Sequence, residues 1–229
     1  MHNDKHTPCL RYPKSENIQD LEWKEVKKLV LPCLVPVEWK FTMDKNNQLA
    51  YSSFLDFSIC YYIRLKNGNG NKMKIAWVSR AALENWGIPM HTLKIQAIEN
   101  MNKDGYTIQP INRFLSVLDE GFASENADVI PLYILTNQTS VFGASGILKT
   151  DLIAEFAKEI GKNLYIIPSS VHELLFLPDD GQIDVEDLKQ IIKDVNDTLV
   201  RPQDILSDHA YYYNRITDEI RMEKQENES

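Results

Sequence analysis

The sequence has few cysteines and no long apolar segment. Its three cysteines, Cys9, Cys33 and Cys60, are widely spaced and form no C-x-x-C pair. This pattern is typical of a reducing compartment rather than of a disulfide framework. No apolar run approaches the roughly 18 residues that a membrane span needs. The polar, proline-broken start "MHNDKHTPCLRYPKSENIQD" does not resemble a secretory signal. These absences predict a cytoplasmic protein with no membrane partner.

Basic residues are outnumbered by acidic ones. There are 25 Lys and Arg against 33 Asp and Glu, which gives a formal net charge of −8 at pH 7. No stripe of Lys or Arg offsets that sign, so we expect no nucleic-acid partner. The content of 43% hydrophobic and 25% charged residues is that of an ordinary globular protein.

The chain shows no linker rich in Gly, Ser or Pro and no internal repeat. Residues 1–20 are predicted to be a disordered leader and residues 223–229 a flexible charged tail. Between them, residues 21–222 are predicted to form a single α+β domain or two packed lobes. The stretch "DEGFASENADV", residues 119–129, is acidic and rich in small residues, and it is the expected seam between such lobes.

The first half predicts a helix, a hairpin and two further helices. The segment "QDLEWKEVKKLVL" is predicted to be a helix. The segments "FLDFSICYYIRLK" and "KMKIAWVS" are predicted to be strands. The joint "NGNGN" between these strands is a strong hairpin signal. Ser79 is predicted to N-cap the helix "RAALENW" and Gly87 to end it. In "HTLKIQAIENM", the helical period places Leu93, Ala97 and Met101 on one face.

The second half predicts strands joined by short turns, with two amphipathic helices between them. "VIPLYILT" and "ASGIL" are predicted strands, and the glycines of "TNQTSVFGASGIL" indicate a hairpin turn. Thr150 is predicted to cap a helix that ends at Gly161, and Asp184 to cap a helix with Leu188 and Ile192 facing inward. "AYYYNRITDEIRM" is predicted to be a hairpin. The strands and helices do not alternate as in repeated βαβ units. This order indicates an α+β fold with a mixed, largely antiparallel sheet and helices packed on it.

The segment "NLYIIPSSVHELLFLPDDG" contains the residue types of a catalytic site between two apolar runs. Ser169, Ser170, His172 and Glu173 offer a nucleophile, a base and a carboxylate. Triad partners normally converge from separate elements, however, and the G-x-S-x-G elbow is missing. We therefore favour a turn whose hydroxyls bond local backbone amides. An exposed binding loop is the second interpretation, and a catalytic site is the third.

No metal site or cofactor is predicted. "DDGQIDVED" resembles half of a calcium loop, but Phe176 and Pro178 occupy the first and third ligand positions. The pairs His172-Glu173 and Asp208-His209 could meet in space, but nothing in their spacing requires a metal site, and H-E-x-x-H is absent.

Three blocks resemble a bacterial family of unknown function that is found mainly in anaerobic gut Gram-positives. The blocks are "EWKEVKKLVLPCLVP" with "FLDFSICYYIRLK", then "LENWGIPMHTLKIQAIEN", and a long third block. The third block contains the motifs S-S-[VI]-H-E, P-D, V-N and L-S-D. This resemblance implies a shared fold and marks the S-S-V-H-E turn as a family feature, but it implies no activity, cofactor or mechanism. Members of that family carry a further N-terminal segment, so this chain is expected to be a shortened version.

The sequence as a whole favours a non-catalytic binding or regulatory module that acts through protein partners. The predicted binding residues lie in the turn, in the Asp208-His209 pair and in the tyrosine run, namely Ser170, His172, Glu173, Asp208, His209 and Tyr212. The alternative is a hydrolase-like enzyme that uses Ser169, Ser170, His172 and Glu173. Its test is whether the turn lies in a concave site with Asp208 and His209 nearby. The oligomeric state is left open.

Overall fold

A computed structural model describes residues 18, 21–39, 49–65, 74–112, 131–183, 185–198 and 200–223. Several predictions fall on residues outside these ranges: nearly all of the leader, the "NGNGN" joint, the seam at 119–129, the Asp184 cap and the tail after Glu223. By their contacts the residues form two compact units. Unit 1 comprises Met1–Asn100 with Arg201–Asp204, and unit 2 comprises Met101–Val200 with Ile205–Ser229.

Unit 1 contains a four-stranded antiparallel sheet and short helices. In it β3 pairs with β1 along one side and with β2 and β4 along the other. Its elements are α1 (Trp23–Val26), β1 (Val30–Pro36), β2 (Tyr51–Phe54), β3 (Phe57–Leu65), β4 (Lys74–Trp77) and α2 (Arg80–Trp86), and α3 (Met90–Met101) extends to the boundary with unit 2.

Two cysteines face each other across the unit 1 sheet. Cys33 of β1 lies directly opposite Cys60 of β3, and both are buried thiols that form no disulfide. Burial, with a smaller contribution from Cys60, raises the pKa of the Cys33 thiol well above its ordinary value. A buried thiol that stays protonated is a poor nucleophile, so this pair packs as small apolar side chains.

Unit 2 is built on a six-stranded antiparallel sheet in the order β10-β9-β7-β8-β6-β5. Its strands are β5 (Thr107–Pro110), β6 (Tyr133–Thr136), β7 (Leu164–Ile167), β8 (Leu174–Pro178), β9 (Tyr211–Asn214) and β10 (Glu219–Met222). A 3₁₀ helix (Gly143–Leu148) leads into α4 (Thr150–Ile160), and α5 (Val185–Thr198) follows β8. The expected α+β fold with antiparallel sheets is confirmed.

The two long helices of unit 2 cover opposite faces of its sheet. On one face, the Phe156 ring of α4 contacts Tyr133 and Phe176, with centroids 4.8 and 6.1 Å away. On the other face, Leu188 and Ile192 of α5 join a buried cluster with sheet residues Ile134, Ile167, Leu175, Leu177 and Ala210. Side chains alternate between the faces of a strand, so β8 contributes to both layers.

Some predicted helix signals are confirmed. The Ser79 hydroxyl accepts a hydrogen bond from the Ala82 amide at 3.1 Å, as an N-cap does. Gly87 and Gly161 end their helices with φ of 65° and 74°, the left-handed conformation that favours glycine. None of the helices within the described ranges combines the length and apolar character needed to cross a bilayer.

Three local predictions are wrong. In the described part of the helix expected over residues 19–31, only Trp23–Val26 is helical, because Val30 and Leu31 enter β1, and residues just before a proline disfavour helix. "ASGIL" is a 3₁₀ helix rather than a strand. Thr150 does not cap α4: the capping position is Lys149, which makes no side-chain cap bond.

Candidate functional site

The topology of the unit 2 sheet collects most of the predicted site residues at one end. Neighbouring strands are antiparallel, so β6 and β7 finish at the end where β8 and β9 begin. The connection between β7 and β8 is the segment "PSSVHE", which we call the serine turn (residues 168–173). The segment that follows β6, which we call the asparagine loop (residues 137–143), leads into the 3₁₀ helix.

Hydrogen bonds close the serine turn upon itself. Ser170 Oγ donates to Glu173 Oε1 at 2.6 Å and accepts from the backbone N–H of His172 at 3.0 Å. Ser169 Oγ donates to the same carboxylate oxygen over a longer 3.4 Å. The two serines are only 5% and 3% exposed, respectively, whereas His172 and Glu173 are half-buried. The hydroxyl-to-amide bond is the one expected of a turn, but the turn is buried more deeply than a surface loop.

His172 joins the serine turn to the asparagine loop. Its carbonyl oxygen accepts from Thr136 Oγ1 at 2.9 Å, and its Nδ1 accepts from the Phe142 amide at 3.2 Å. The imidazole also stacks on the Phe142 ring, with centroids 5.8 Å apart. Because Nδ1 accepts a hydrogen bond, the neutral imidazole carries its proton on Nε2. The ring is thereby fixed in both orientation and tautomer.

The backbone of the asparagine loop adopts unusual dihedral angles. Ser140 and Phe142 have φ of 51° and 55°. A bulky residue at positive φ is an outlier whose cost is on the order of 1–3 kcal/mol. Phe142 is nonetheless fully buried, and its amide is held by His172. Such strain is concentrated at functional sites in proteins, which makes this end of the sheet the strongest candidate site in unit 2.

Gly143 allows the two segments to approach each other closely. A Cβ at this position would lie 2.4 Å from both the His172 carbonyl oxygen and Thr136 Oγ1. No side chain fits at those distances. The glycine is therefore required by the packing of the asparagine loop against the serine turn.

The side chain of Asn137 holds the asparagine loop together from within. Its Nδ2 donates to Asp104 Oδ2 at 3.0 Å and to the Val141 carbonyl at 2.8 Å. Its Oδ1 accepts from the amides of Thr139 and Val141 at 3.1 and 3.2 Å. Asn137 is 3% exposed, so this fully bonded amide replaces regular secondary structure as the support of the loop.

The Asp208-His209 pair lies at the same end of the sheet. Ile166 pairs with Tyr211, so the residues just before β9 run beside those that follow β7. His209 Nε2 is 3.6 Å from Asp208 Oδ1, and the two side chains are 54% and 85% exposed. The strand register thus places the Asp208-His209 pair at the end of the sheet that carries the serine turn.

Tyr212, by contrast, belongs to a separate hydrogen-bonded group. Its hydroxyl donates to Asp179 Oδ2 at 2.6 Å and accepts from Asn163 Nδ2 at 2.8 Å. Asn163 precedes β7 and Asp179 follows β8, so both lie at the opposite end of the sheet from the serine turn. Burial, together with donation to Asp179, raises the pKa of Tyr212 to about 12.

Sequence reasoning missed the residues of the asparagine loop, above all Asn137 and Phe142. The polar run before the glycines in "TNQTSVFGASGIL" indicated a turn but not its buried partners. Within the described ranges, no group of three or more His, Cys, Asp or Glu side chains is arranged to hold a metal ion.

Comparison with known proteins gives a family but no function. The model of a family of unknown function, DUF5688, matches residues 11–215, which is most of the chain. This match confirms the resemblance to an uncharacterised family. No curated protein and no solved structure matches the chain.

Proposed function

This chain belongs to the family of unknown function DUF5688, and we propose that it is a non-catalytic binding module that acts through a protein partner. The observation that carries the proposal is how the serine turn uses its polar groups. The Ser170 hydroxyl and the His172 Nδ1 atom are engaged in bonds that hold the turn and the asparagine loop together. These groups support a surface rather than react at it.

The hydrolase-like alternative has less support for two reasons. A nucleophilic serine must give its proton to a base such as histidine, but a hydroxyl has one proton and that of Ser170 points to Glu173. In addition, Ser169 and Ser170 are almost fully buried, so an attacking oxygen could not reach a substrate carbonyl without opening the turn. The same burial makes Ser170 a support of the binding surface and not a contact residue.

The proposed contact surface consists of the accessible residues at this end of the sheet: His172, Glu173, Asp208 and His209. The neutral His172 ring offers an N–H donor at Nε2, while Glu173 and Asp208 offer acceptors. Strands and buried bonds fix the backbone beneath these groups. A preorganised polar surface loses little conformational entropy on binding, which favours recognition of a protein partner.

Site-specific photo-crosslinking tests the proposal. A benzophenone amino acid replaces His209 in one variant and Asp194, on the exposed side of α5, in the matched control. Crosslinking in lysate of the source organism should yield the same partner protein repeatedly from position 209 and not from position 194. Excess unmodified protein should compete for that partner at least tenfold better than the double variant Asp208→Ala, His209→Ala. Equal competition would contradict the proposed surface.

A second experiment separates binding from hydrolysis. A fluorophosphonate probe labels serines that are activated as nucleophiles. The wild-type protein should show no more labelling than its Ser170→Ala variant. Labelling that the Ser170→Ala change abolishes would overturn the non-catalytic proposal in favour of the hydrolase-like enzyme.

A further inference from the structure

The β10 strand lies at one edge of the unit 2 sheet. Among the described residues it pairs only with β9. The Glu223 amide donates to the Ala210 carbonyl, so residues 219, 221 and 223 direct their backbone groups towards β9. The N–H and C=O groups of Ile220 and Met222 therefore point away from the sheet. Such a row of outward groups is a template for another strand.

In two other edge strands, prolines prevent pairing with a further strand. The Arg64 amide donates to the Leu29 carbonyl, and this register directs positions 32 and 36 of β1 outward. Both positions are prolines. In β5, the bond from the Ile111 amide to Leu132 likewise directs Pro110 outward. A proline has no N–H to offer a further strand, so these edges are closed, whereas β10 contains no proline.

We propose that the β10 edge pairs with β10 of a second copy of this chain. Centring an antiparallel two-fold pair on Ile220 places Glu219 of each copy directly opposite Arg221 of the other. The backbones of the two copies would exchange hydrogen bonds at Ile220. Two Glu219–Arg221 ion pairs would flank this centre on one face of the joined sheet. The strand sequence Glu-Ile-Arg is thus complementary to itself in charge, which identifies the occupant as a second copy.

The charged side chains involved are accessible. Glu219 and Arg221 are exposed, and the Arg221 guanidinium lies over the Tyr212 ring at 5.2 Å from its centroid. Arg221 Nε is also 3.6 Å from Glu223 Oε2. On the opposite face, Met222 is 37% exposed and Ile220 is partly buried, so pairing would cover apolar surface as well. Since the strand has only four residues, we expect a weak, reversible dimer.

Charge reversal provides the test. Sedimentation velocity at roughly 0.1–1 mM protein, a range suited to a small interface, should detect a dimer of the wild-type chain. Glu219→Arg and Arg221→Glu should each weaken association at least tenfold, because like charges then face each other. An equimolar mixture of these two variants should associate again, as should the doubly exchanged chain Glu219→Arg, Arg221→Glu.

Matched controls are Glu155→Arg and Lys158→Glu, which make the same charge changes at exposed positions of α4. They should associate as the wild type does, and circular dichroism should report an unchanged fold for every variant. A wild-type chain that stays monomeric would overturn the proposal. So would a mixture of the two reversed variants that stays monomeric, or controls that lose association to the same extent.

Discussion

The hydroxyl of Ser170 is shared between two partners in its own turn, the Glu173 carboxylate and the His172 amide. The turn itself could be predicted from a polar insert between two apolar runs that end in proline. The partner of His172 could not, because the Phe142 amide lies 30 positions earlier in the chain. Contacts between distant segments depend on strand order, which a single sequence does not specify.

We expect Ser170→Ala to lower the free energy of unfolding by about 1–3 kcal/mol, because the half-buried His172 amide loses its hydroxyl acceptor and the Glu173 carboxylate loses its short hydrogen bond. Ser169→Ala is the matched control. Its hydroxyl is similarly buried but makes only a 3.4 Å contact with Glu173, so its loss should be clearly smaller. Urea unfolding measures both values. Equal losses would mean that the short Ser170–Glu173 bond does not hold the turn.

Gly143→Ala tests the close approach of the asparagine loop and the serine turn. The added Cβ would meet a backbone oxygen and a hydroxyl at 2.4 Å, so we expect a loss of about 3 kcal/mol or more. Gly161→Ala provides the comparison, since its added Cβ would meet nothing within 4 Å. Only the positive φ of 74°, which residues with a side chain rarely adopt, disfavours this substitution. That change should cost about 1–2 kcal/mol. A smaller loss at Gly143 than at Gly161 in the same urea series would contradict the packing described.

Elements with a strong period or a clear end signal were predictable from the sequence. The inward positions of α5 and the glycine ends of α2 and α4 follow from local rules that hold regardless of tertiary structure. "ASGIL" was not predictable in this way. Gly146 fits against Tyr106 and Leu135, where a Cβ would come within 2.7 and 2.9 Å, and this packing selects a tight 3₁₀ helix over a strand.

Leu188→Ala tests the packing of α5 on the sheet. Leu188 is fully buried in the cluster that includes Leu175 and Leu177, so its truncation leaves a cavity and should cost about 2–5 kcal/mol. Lys193→Ala, on the exposed side of the same helix, should stay within about 0.5 kcal/mol of the wild type. The two variants differ little in helix propensity, so urea unfolding isolates burial. Similar losses would show that the helix presents another face to the sheet.

On the scale of the whole molecule, the fold class and the family were predictable, whereas the assignment of one short segment to a unit was not. The short segment Arg201–Asp204 belongs to unit 1, although the residues on both sides of it belong to unit 2. An Arg201–Asp204 ion pair, with Nε 2.8 Å from Oδ2, holds this segment. A segment of only four residues carries no periodic signal, so only three-dimensional contacts can assign it to a unit.

The stability of the whole chain should fall at alkaline pH partly through two tyrosines of β9. Burial and hydrogen bonds to carboxylates raise the pKa of Tyr212 and of Tyr213 to about 12. In the unfolded chain both groups titrate near the reference value of about 10. Since the folded pKa is the higher one, their contribution to stability is complete below pH 10. It is lost as the pH rises from about 10 through about 12.

Tyr212→Phe should therefore change the pH dependence as well as the stability. Near neutral pH the variant should be less stable than the wild type, because Asp179 and Asn163 lose their bonds to the hydroxyl. Above pH 10 the difference between the two proteins should shrink, since only the wild type still has this proton to lose on unfolding. Urea unfolding at pH 8, 9, 10 and 11 measures that difference directly, and Tyr213→Phe should show the same trend. A difference that stays constant or widens with pH would contradict the raised pKa of these tyrosines.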